Sequence, residues 1–166
     1  MDNPRARPMT PFQERLGRVT VQWMTGMNNV AYRLSAGRVA GRIPSGAPIC
    51  LLTTTGRRSG RLRTVPLVYV PDGDDLVVVA SRGGMGSHPA WYLNLLADPG
   101  ATVQVGADSR RVRARDATEA ERDRLWPTLT AAYPHFDAYQ LRTSRHIPVV
   151  ILSPRTPVGY RRRIHG

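Results

Sequence analysis

Near the start of the chain, apolar positions repeat with a helical period. They recur at spacings of three and four residues, which places their side chains on one face of a helix. The members of this stripe are Phe12, Leu16, Val19, Trp23, Met27, Val30 and Leu34. Thr10 can cap such a helix, and Pro11 suits its first position. The pattern predicts an amphipathic helix within residues 10–34 that packs on the core or, alternatively, rests a basic face on an anionic membrane.

From residue 49 onward, short apolar runs separated by turn residues are typical of β-strands. The predicted strands cover residues 49–55, 64–70, 75–81, 101–105, 110–115 and 148–153. The sequence PDGD at residues 71–74 marks a turn between two of them. Pro66 lies inside the second strand, and proline has no N–H to donate to a ladder. It therefore predicts a strand edge or a bulge at that position.

Helical segments are fewer. A short helix is predicted over residues 89–97, ended by the Asp-Pro-Gly sequence at residues 98–100. Thr118 and Glu121 form a capping box for a second helix, and a broken helical segment reaches about Leu141. Strands at short spacing with few helices predict a mainly β protein with packed helices (α+β). A small barrel fits this pattern better than a doubly wound sheet does.

The chain length of 166 residues suits one domain with its own core. We expect a flexible basic arm over residues 1–9, a single domain over residues 10–153 that includes the N-terminal helix, and a basic tail over residues 154–166. No secretion signal and no apolar stretch long enough to cross a bilayer is present in the sequence. A cytoplasmic location is expected, with membrane association only through residues 10–34.

Charge adds to this picture, because the protein is strongly basic. The net charge is +12, and all 24 basic residues are arginine. The arginine fork grips phosphates and carboxylates at two points, so the charge by itself favours an anionic partner: nucleic acid, an anionic membrane or a phosphorylated ligand. On the whole sequence we expect a small-molecule acceptor and no nucleic acid. Cys50 is the one cysteine and lies in an apolar run, as a buried thiol does. The histidines are scattered, so no metal site is expected.

One turn between strands concentrates positive charge. In LLTTTGRRSGRLRTVPL, residues 51–67, four arginines surround two glycines between two apolar runs. Gly56 and Gly60 permit backbone conformations that other residues avoid, and they leave N–H groups open to a ligand. The turn therefore predicts either an anion-binding site or a solvated basic hairpin.

A second candidate is SRGGMGSHPAWYLNL, residues 81–95, where a basic glycine loop leads into a helix. The N–H groups at a helix start favour an anion, although the glycine spacing is not that of a dinucleotide fingerprint. Trp91 and Asn94 lie three residues apart and so share one helical face. A third stretch, AYPHFDAYQ at residues 132–140, spaces three aromatic residues so that they could wall a flat substrate or simply pack.

Taken in order, these stretches resemble the deazaflavin-dependent nitroreductase family of actinobacteria. The matching stretches are LLTTTGRRSGRLRTVPL, ASRGGMGSHPAWYLNL, ADPGATVQV, RARDATEAER and YPHFDAYQ, and the resemblance covers about residues 10–153. It implies a split β-barrel of the flavin-reductase or pyridoxamine-phosphate-oxidase type. It also implies binding of coenzyme F420, an 8-hydroxy-5-deazaflavin with a phosphate and an oligoglutamate tail. The implied reaction is hydride transfer from reduced F420 to a quinone, an enone or a nitro compound.

The resemblance further implies roles for individual residues. The cofactor-binding residues would be Leu52, Thr53, Arg57, Arg58, Ser59, Gly60, Arg63, Pro66, Ala80, Ser81, Arg82, Gly83, Gly84, Trp91 and Asn94. Arg57, Arg58 and Arg63 would hold the phosphate and the tail carboxylates, and Ala80 to Gly84 would follow the ring and linker. The acceptor would lie against Val68, Tyr133, Phe136 and Tyr139. A proton would come from Tyr133, Tyr139, Ser81 or water, with Tyr133 the first candidate.

One departure from the family and two alternatives follow. Family members that reduce nitroimidazoles carry tyrosine at the positions of Val68 and Phe136, so the missing hydroxyls argue against reduction of a bulky nitro drug and leave cofactor binding unaffected.

One alternative is a barrel of the same type that uses FMN. The other is a non-enzymatic basic barrel that binds nucleic acid, although no stacking aromatic residues interleave with the arginines of residues 57–63.

Overall fold

The structure is a computed structural model that describes residues 46–155. The predicted helix within residues 10–34, the arm over residues 1–9 and the tail beyond residue 155 lie outside the described residues. The strands are β1 Ile49–Thr55, β2 Leu62–Asp72, β3 Asp75–Val79, β4 Gly100–Val105, β5 Asp108–Asp116 and β6 Val149–Pro154. The helices are α1 Ala90–Ala97, α2 Glu119–Ala132 and α3 His135–Leu141, and a 3-10 turn covers Arg82–Gly84.

The six strands form a closed antiparallel barrel in the order β1-β2-β3-β6-β5-β4. β1 and β2, β2 and β3, and β4 and β5 pair as hairpins. β5 pairs with β6 across two intervening helices, and the ring closes where β3 pairs with β6 and β1 pairs with β4. The helices pack on the barrel rather than alternating with its strands. The predicted fold class, a mainly β split barrel with packed helices, is confirmed.

The barrel interior is filled by side chains from all six strands and from α1. Because successive strand residues point to opposite faces, every second residue faces inward. The inward set includes Cys50, Leu52, Leu76, Val78, Val103, Val112, Ala114, Val150 and Leu152, with Trp91, Tyr92 and Leu95 of α1 packed among them. Burial raises the pKa of Cys50 to about 12, which confirms the prediction of a buried thiol.

A second core covers the outer face of β3 and β6. Here α2 and α3 pack on the outward side chains of these strands, which are therefore buried on both faces. The members of this outer core are Val70, Val77, Val79, Leu125, Leu129, Phe136, Ile147, Val149 and Ile151. The predicted capping box starts α2: Glu121 N–H donates to Thr118 Oγ1 at 3.2 Å, and the Glu121 carboxylate accepts from Thr118 N–H at 2.9 Å.

Only β1 has its predicted bounds; β4, β5 and β6 differ from them by one or two residues at their ends, and β2 and β3 differ for identifiable reasons. β2 is longer at both ends than residues 64–70, because its first residues pair with β1 and its last residues pair with β3. β3 ends at Val79 rather than at Ser81, because the chain enters the 3-10 turn there. Among the described residues, no helix is long and apolar enough to span a bilayer.

Candidate functional site

The barrel is closed, but β2 extends beyond the end of β3, and we call this unpaired edge of β2 the split. β2 pairs with β1 over Leu62–Val68, but its ladder with β3 covers only Tyr69–Asp72. Pro66 therefore lies where β2 pairs with β1 but not with β3, which confirms the predicted strand edge. The split has the arginine-rich turn before β2 at one border and the glycine-rich turn after β3 at the other. Both stretches singled out in the sequence therefore border the unpaired edge of β2.

The arginine turn, residues 56–61, is closed by its own backbone. Gly56 N–H donates to the Arg61 carbonyl at 2.8 Å, and the Gly56 carbonyl accepts from Gly60 N–H at 2.7 Å. A Cβ at Gly56 would lie 2.9 Å from Ser59 Oγ and 3.0 Å from the Arg61 carbonyl oxygen, so a side chain does not fit there. Gly60 has a φ of +66°, in the left-handed region that favours glycine. The compact loop requires both glycines.

Asn94 on α1 anchors this turn to the barrel. Its side chain is 5% exposed. Its Oδ1 accepts from Arg57 N–H at 3.1 Å, and its Nδ2 donates to the buried Thr54 Oγ1 at 3.1 Å. The Asn94 side-chain amide therefore connects α1 both to the end of β1 and to the arginine turn. Asn94 thus holds the backbone that carries the arginines, and its contact with a cofactor stays a prediction.

The arginine side chains of the turn are exposed and unneutralised by protein carboxylates. Arg57, Arg58 and Arg63 are all exposed. The ion pairs within residues 46–155 lie elsewhere, at Arg115–Glu121 and Arg124–Asp72, each 2.7 Å long. No described carboxylate therefore competes with an anionic ligand for the turn.

The turn after β3 differs from the arginine turn, because its exposed polar groups belong to the backbone and its one charged side chain is engaged within the loop. Arg82, Gly83 and Gly84 have φ values of +48°, +65° and +78°. The Arg82 guanidinium folds back and donates to Ser87 Oγ and to the His88 carbonyl, so it is engaged within the loop. A Cβ at Gly84 would lie 2.7 Å from the Tyr139 carbonyl oxygen, so this glycine packs directly on α3.

Arg145 was not singled out in the sequence and proves central to this loop. Its Nη2 donates to the carbonyls of Ser81 at 2.7 Å and Ala80 at 3.2 Å, and its Nε donates to the Met85 carbonyl at 2.8 Å. Its Nη1 lies 3.3 Å from His88 Nδ1. Burial, followed by the charge of Arg82, lowers the pKa of Arg145. No local motif marks this residue, because its partners lie about sixty positions earlier in the chain.

An aromatic cluster lies on α3 and at the end of α2. The hydroxyls of Tyr133 and Tyr139 are 3.1 Å apart, and burial together with this bond raises the pKa of Tyr133 to about 12. The ring of Phe136 lies edge-on to Tyr133 at 5.0 Å and is 5% exposed. Val68, Tyr133 and Tyr139 all pack against the outer core that contains Phe136. The predicted acceptor residues are therefore neighbours, with Phe136 as their buried support.

The remaining predicted residues divide between the two faces of the sheet. The register sets Thr53 opposite Thr64, whose hydroxyls bond at 2.8 Å, and Pro66 opposite Leu51, which places these pairs on the outward face. Arg63 lies opposite Thr54 on the inward-facing row, where it reaches the barrel rim. The inward residues Leu52, Ala80 and Trp91 are fully or almost fully buried in the interior. Their contact with a cofactor stays a prediction.

The residues present fit a long anionic coenzyme. The unneutralised arginines of the turn suit a phosphate and carboxylates. The prediction that the glycines leave N–H groups open to a ligand is wrong, because Gly56 N–H and Gly60 N–H donate to the carbonyls of Arg61 and Gly56 within the turn. At about 3.3 Å per residue, the outward row of β2 from Leu62 to Val68 spans roughly 20 Å, enough for an extended ring and side chain. The fold defines the class of split β-barrel proteins.

Comparison with known proteins identifies the family within this class. The family model described as F420H(2)-dependent quinone reductase matches residues 23–154. An F420H(2)-dependent quinone reductase of Mycobacterium tuberculosis is 39% identical over 132 residues, which cover 78% of this chain and 89% of that protein. A second M. tuberculosis protein, provisionally given the same name, is 45% identical over 108 residues, which cover 65% and 91% of the two chains. The chain belongs to the F420H(2)-dependent quinone reductase family.

Solved structures agree with this assignment. The F420-H2 dependent reductase FDR-A superimposes with a TM-score of 0.60 at 42% identity, over 64% of this chain and 94% of that one. A protein solved as a domain-swapped dimer superimposes with a TM-score of 0.61 at 35% identity, over 86% and 96% of the two chains. The alternatives of an FMN-binding barrel and a nucleic-acid-binding barrel are not favoured by these matches.

Proposed function

We propose that the protein transfers a hydride from reduced F420 to a quinone in the split between β2 and β3. One observation carries the proposal: the ladder between the two strands ends at Tyr69 and Val78, which leaves an unpaired edge of β2 with an arginine turn at one border and a backbone turn at the other. Membership of the F420H(2)-dependent family supports it. Enones and nitro compounds are further acceptors of the same electron-poor class.

The two turns would bind different parts of the coenzyme. Arg57, Arg58 and Arg63 would hold the phosphate and the glutamate carboxylates, since guanidinium groups form paired, charge-assisted hydrogen bonds with both. Ser81, Gly83 and the backbone around them would meet polar edges of the deazaflavin. This division of roles places the flat ring beside α3, because Gly84 packs on that helix.

The acceptor must gain a hydride and a proton to become a hydroquinone. Bound F420H(2) supplies the hydride. Tyr133 would supply the proton because its hydroxyl lies among the predicted acceptor residues. Its pKa of about 12 keeps it protonated in the neutral range but makes it a weak acid, so water is the alternative donor. Tyr139 can then pass a proton to Tyr133 across their hydroxyl contact of 3.1 Å. Val68 and Phe136 have no hydroxyl to add, which favours quinones over nitro drugs that need further donors.

The test is oxidation of reduced F420 against a panel of soluble quinones, enones and nitroaromatic compounds, with binding of F420, FMN and DNA titrated in parallel. We expect quinone turnover, micromolar F420 binding and no FMN binding. Salt-sensitive DNA binding without F420 binding would contradict the proposal. Tyr133→Phe should lower kcat by about tenfold or more at unchanged F420 affinity, because one proton donor is lost.

A cytoplasmic location and contact of residues 10–34 with an anionic membrane are further parts of the proposal. Co-sedimentation with liposomes with and without anionic lipid checks the membrane contact. We expect more protein in the pellet when anionic lipid is present. Equal recovery in the supernatant with both liposomes would dismiss it.

A further inference from the structure

The turn after β3 contains a backbone conformation that needs an explanation. Arg82 has a φ of +48° and is the one non-glycine residue within residues 46–155 with a positive φ. A left-handed backbone is unfavourable for a residue with a side chain, and such outliers persist where the surroundings hold them. The two glycines that follow also have positive φ, so three successive residues are left-handed.

Arg145 is the group that holds this turn. Its guanidinium donates to the carbonyls of Ala80 and Ser81, which precede Arg82, and to the carbonyl of Met85, which follows it. No carboxylate among the described residues forms an ion pair with Arg145. The half-buried Arg145 guanidinium thus donates its hydrogen bonds to backbone carbonyls on both sides of the left-handed segment.

The consequence is a concave array of N–H groups. Ser81 is right-handed, with φ −71° and ψ −40°, and Arg82 is left-handed, which is the sequence of conformations that turns successive N–H groups toward one point. Within residues 46–155, the backbone N–H groups of Ser81, Arg82 and Gly83 have no acceptor. With the carbonyls drawn to Arg145, these donors are left for a ligand.

We propose that Arg145 is a positioning residue that holds the 81–84 turn so that its N–H groups meet the carbonyl-rich edge of the deazaflavin. This inference rests on the proposed function. Arg145 acts through the backbone and does not itself need to touch the cofactor. The charged arginine turn then binds the tail of the coenzyme, and the backbone turn held by Arg145 binds its ring.

The first test compares Arg145→Met and Arg145→Lys with the wild-type protein by fluorescence titration of oxidised F420. We expect Arg145→Met to weaken binding by about tenfold or more, because the donors lose their arrangement. Lysine should restore only part of the affinity, because an ammonium lacks the planar fork. Val112→Ala in the barrel interior serves as the destabilised control, and its affinity should stay at the wild-type value although its stability falls.

The second test asks whether Arg145 acts through the backbone of residue 82. Arg82→Ala and Arg82→Gly both remove the guanidinium, but only glycine removes the cost of positive φ. With Arg145 present, the two variants should bind F420 almost equally. In the Arg145→Met background, the glycine variant should bind about fivefold more tightly than the alanine variant.

Two results would overturn the inference. One is wild-type affinity in Arg145→Met, and the other is the same glycine-to-alanine ratio in both backgrounds. Absence of F420 binding by the wild-type protein would instead contradict the proposed function and the inference with it, so the two failures are distinguishable.

Discussion

The two turns at the split are built in opposite ways. The arginine turn exposes flexible, charged side chains on a loop that closes on itself through Gly56 and Gly60. The turn after β3 is half-buried, and its conformation depends on Arg145, more than sixty residues away. One turn is defined by local sequence and the other by tertiary contacts.

In the proposed function, this difference between the two turns matches the different requirements of the two ends of the coenzyme. A flexible chain of phosphate and carboxylates can be held by long side chains that adapt to it, because charge acts over distance. A reacting ring must be placed within a fraction of an ångström, which a fixed backbone does better. Variants in the two turns should therefore separate affinity from stability.

The largest effect is expected in the arginine turn. Arg57→Ala combined with Arg63→Ala should weaken F420 binding by about 4 kcal/mol, since each charged hydrogen bond contributes on the order of 1.5–3 kcal/mol. Stability should hardly change, because both side chains are exposed. Fluorescence titration at two salt concentrations measures the loss and its ionic part. Arg110→Ala with Arg155→Ala removes the same charge elsewhere, and an equal loss there would mean that only net charge matters.

The next effect concerns the turn after β3 and is a loss of stability. Gly84→Ala should lower the free energy of unfolding by about 3 kcal/mol, because the new Cβ meets the Tyr139 carbonyl and φ is positive. Gly83→Ala is the matched control: its φ is also positive, but no atom lies within 4 Å of a Cβ there. It should cost only about 1 kcal/mol in urea unfolding. Equal costs would show that α3 does not confine the turn.

A smaller effect tests the link between the arginine turn and the barrel. Asn94→Leu leaves Arg57 N–H and the Thr54 hydroxyl without their partner, which should cost about 2 kcal/mol of stability. F420 affinity should also fall, although every arginine is still present. Leu96→Asn on the exposed side of the same helix is the control and should leave both quantities unchanged. Unchanged affinity in Asn94→Leu would show that the arginines need no fixed backbone.

The smallest effect is a pH dependence confined to the turn after β3. Burial, followed by the charge of Arg145, lowers the pKa of His88 below 6.5, whereas Asp116 acts in the opposite direction. The unfolded chain therefore binds a proton at His88 before the folded protein does, so stability falls as the pH drops below 6.5. Urea unfolding at about pH 7.5 and about pH 5.5 should show a smaller change in His88→Gln than in the wild type. Identical changes would exclude His88 as the source.

Much of the fold could be predicted from the sequence because its determinants are local. β1 was predicted over residues 49–55, where the structure has it, and the capping box at Thr118 was correct. Turn residues, alternation and caps each act within a few positions of the chain. The arginine turn was recognisable for the same reason, since its glycines and arginines are adjacent. The end of β3 was wrong because a distant guanidinium, not the local pattern, bends the chain at Ser81.

The sequence by itself determined that this is a basic, mainly β protein with an anion-prone turn, and its resemblance to a known family named the coenzyme. Only the tertiary structure decided that the two turns share the split, that Asn94 holds backbone and that Phe136 is buried support. The tertiary structure also showed that Arg145 donates hydrogen bonds to the turn after β3. The reason is physical: these roles depend on strand register and helix packing, which bring together residues up to sixty-five positions apart and leave no pattern along the chain.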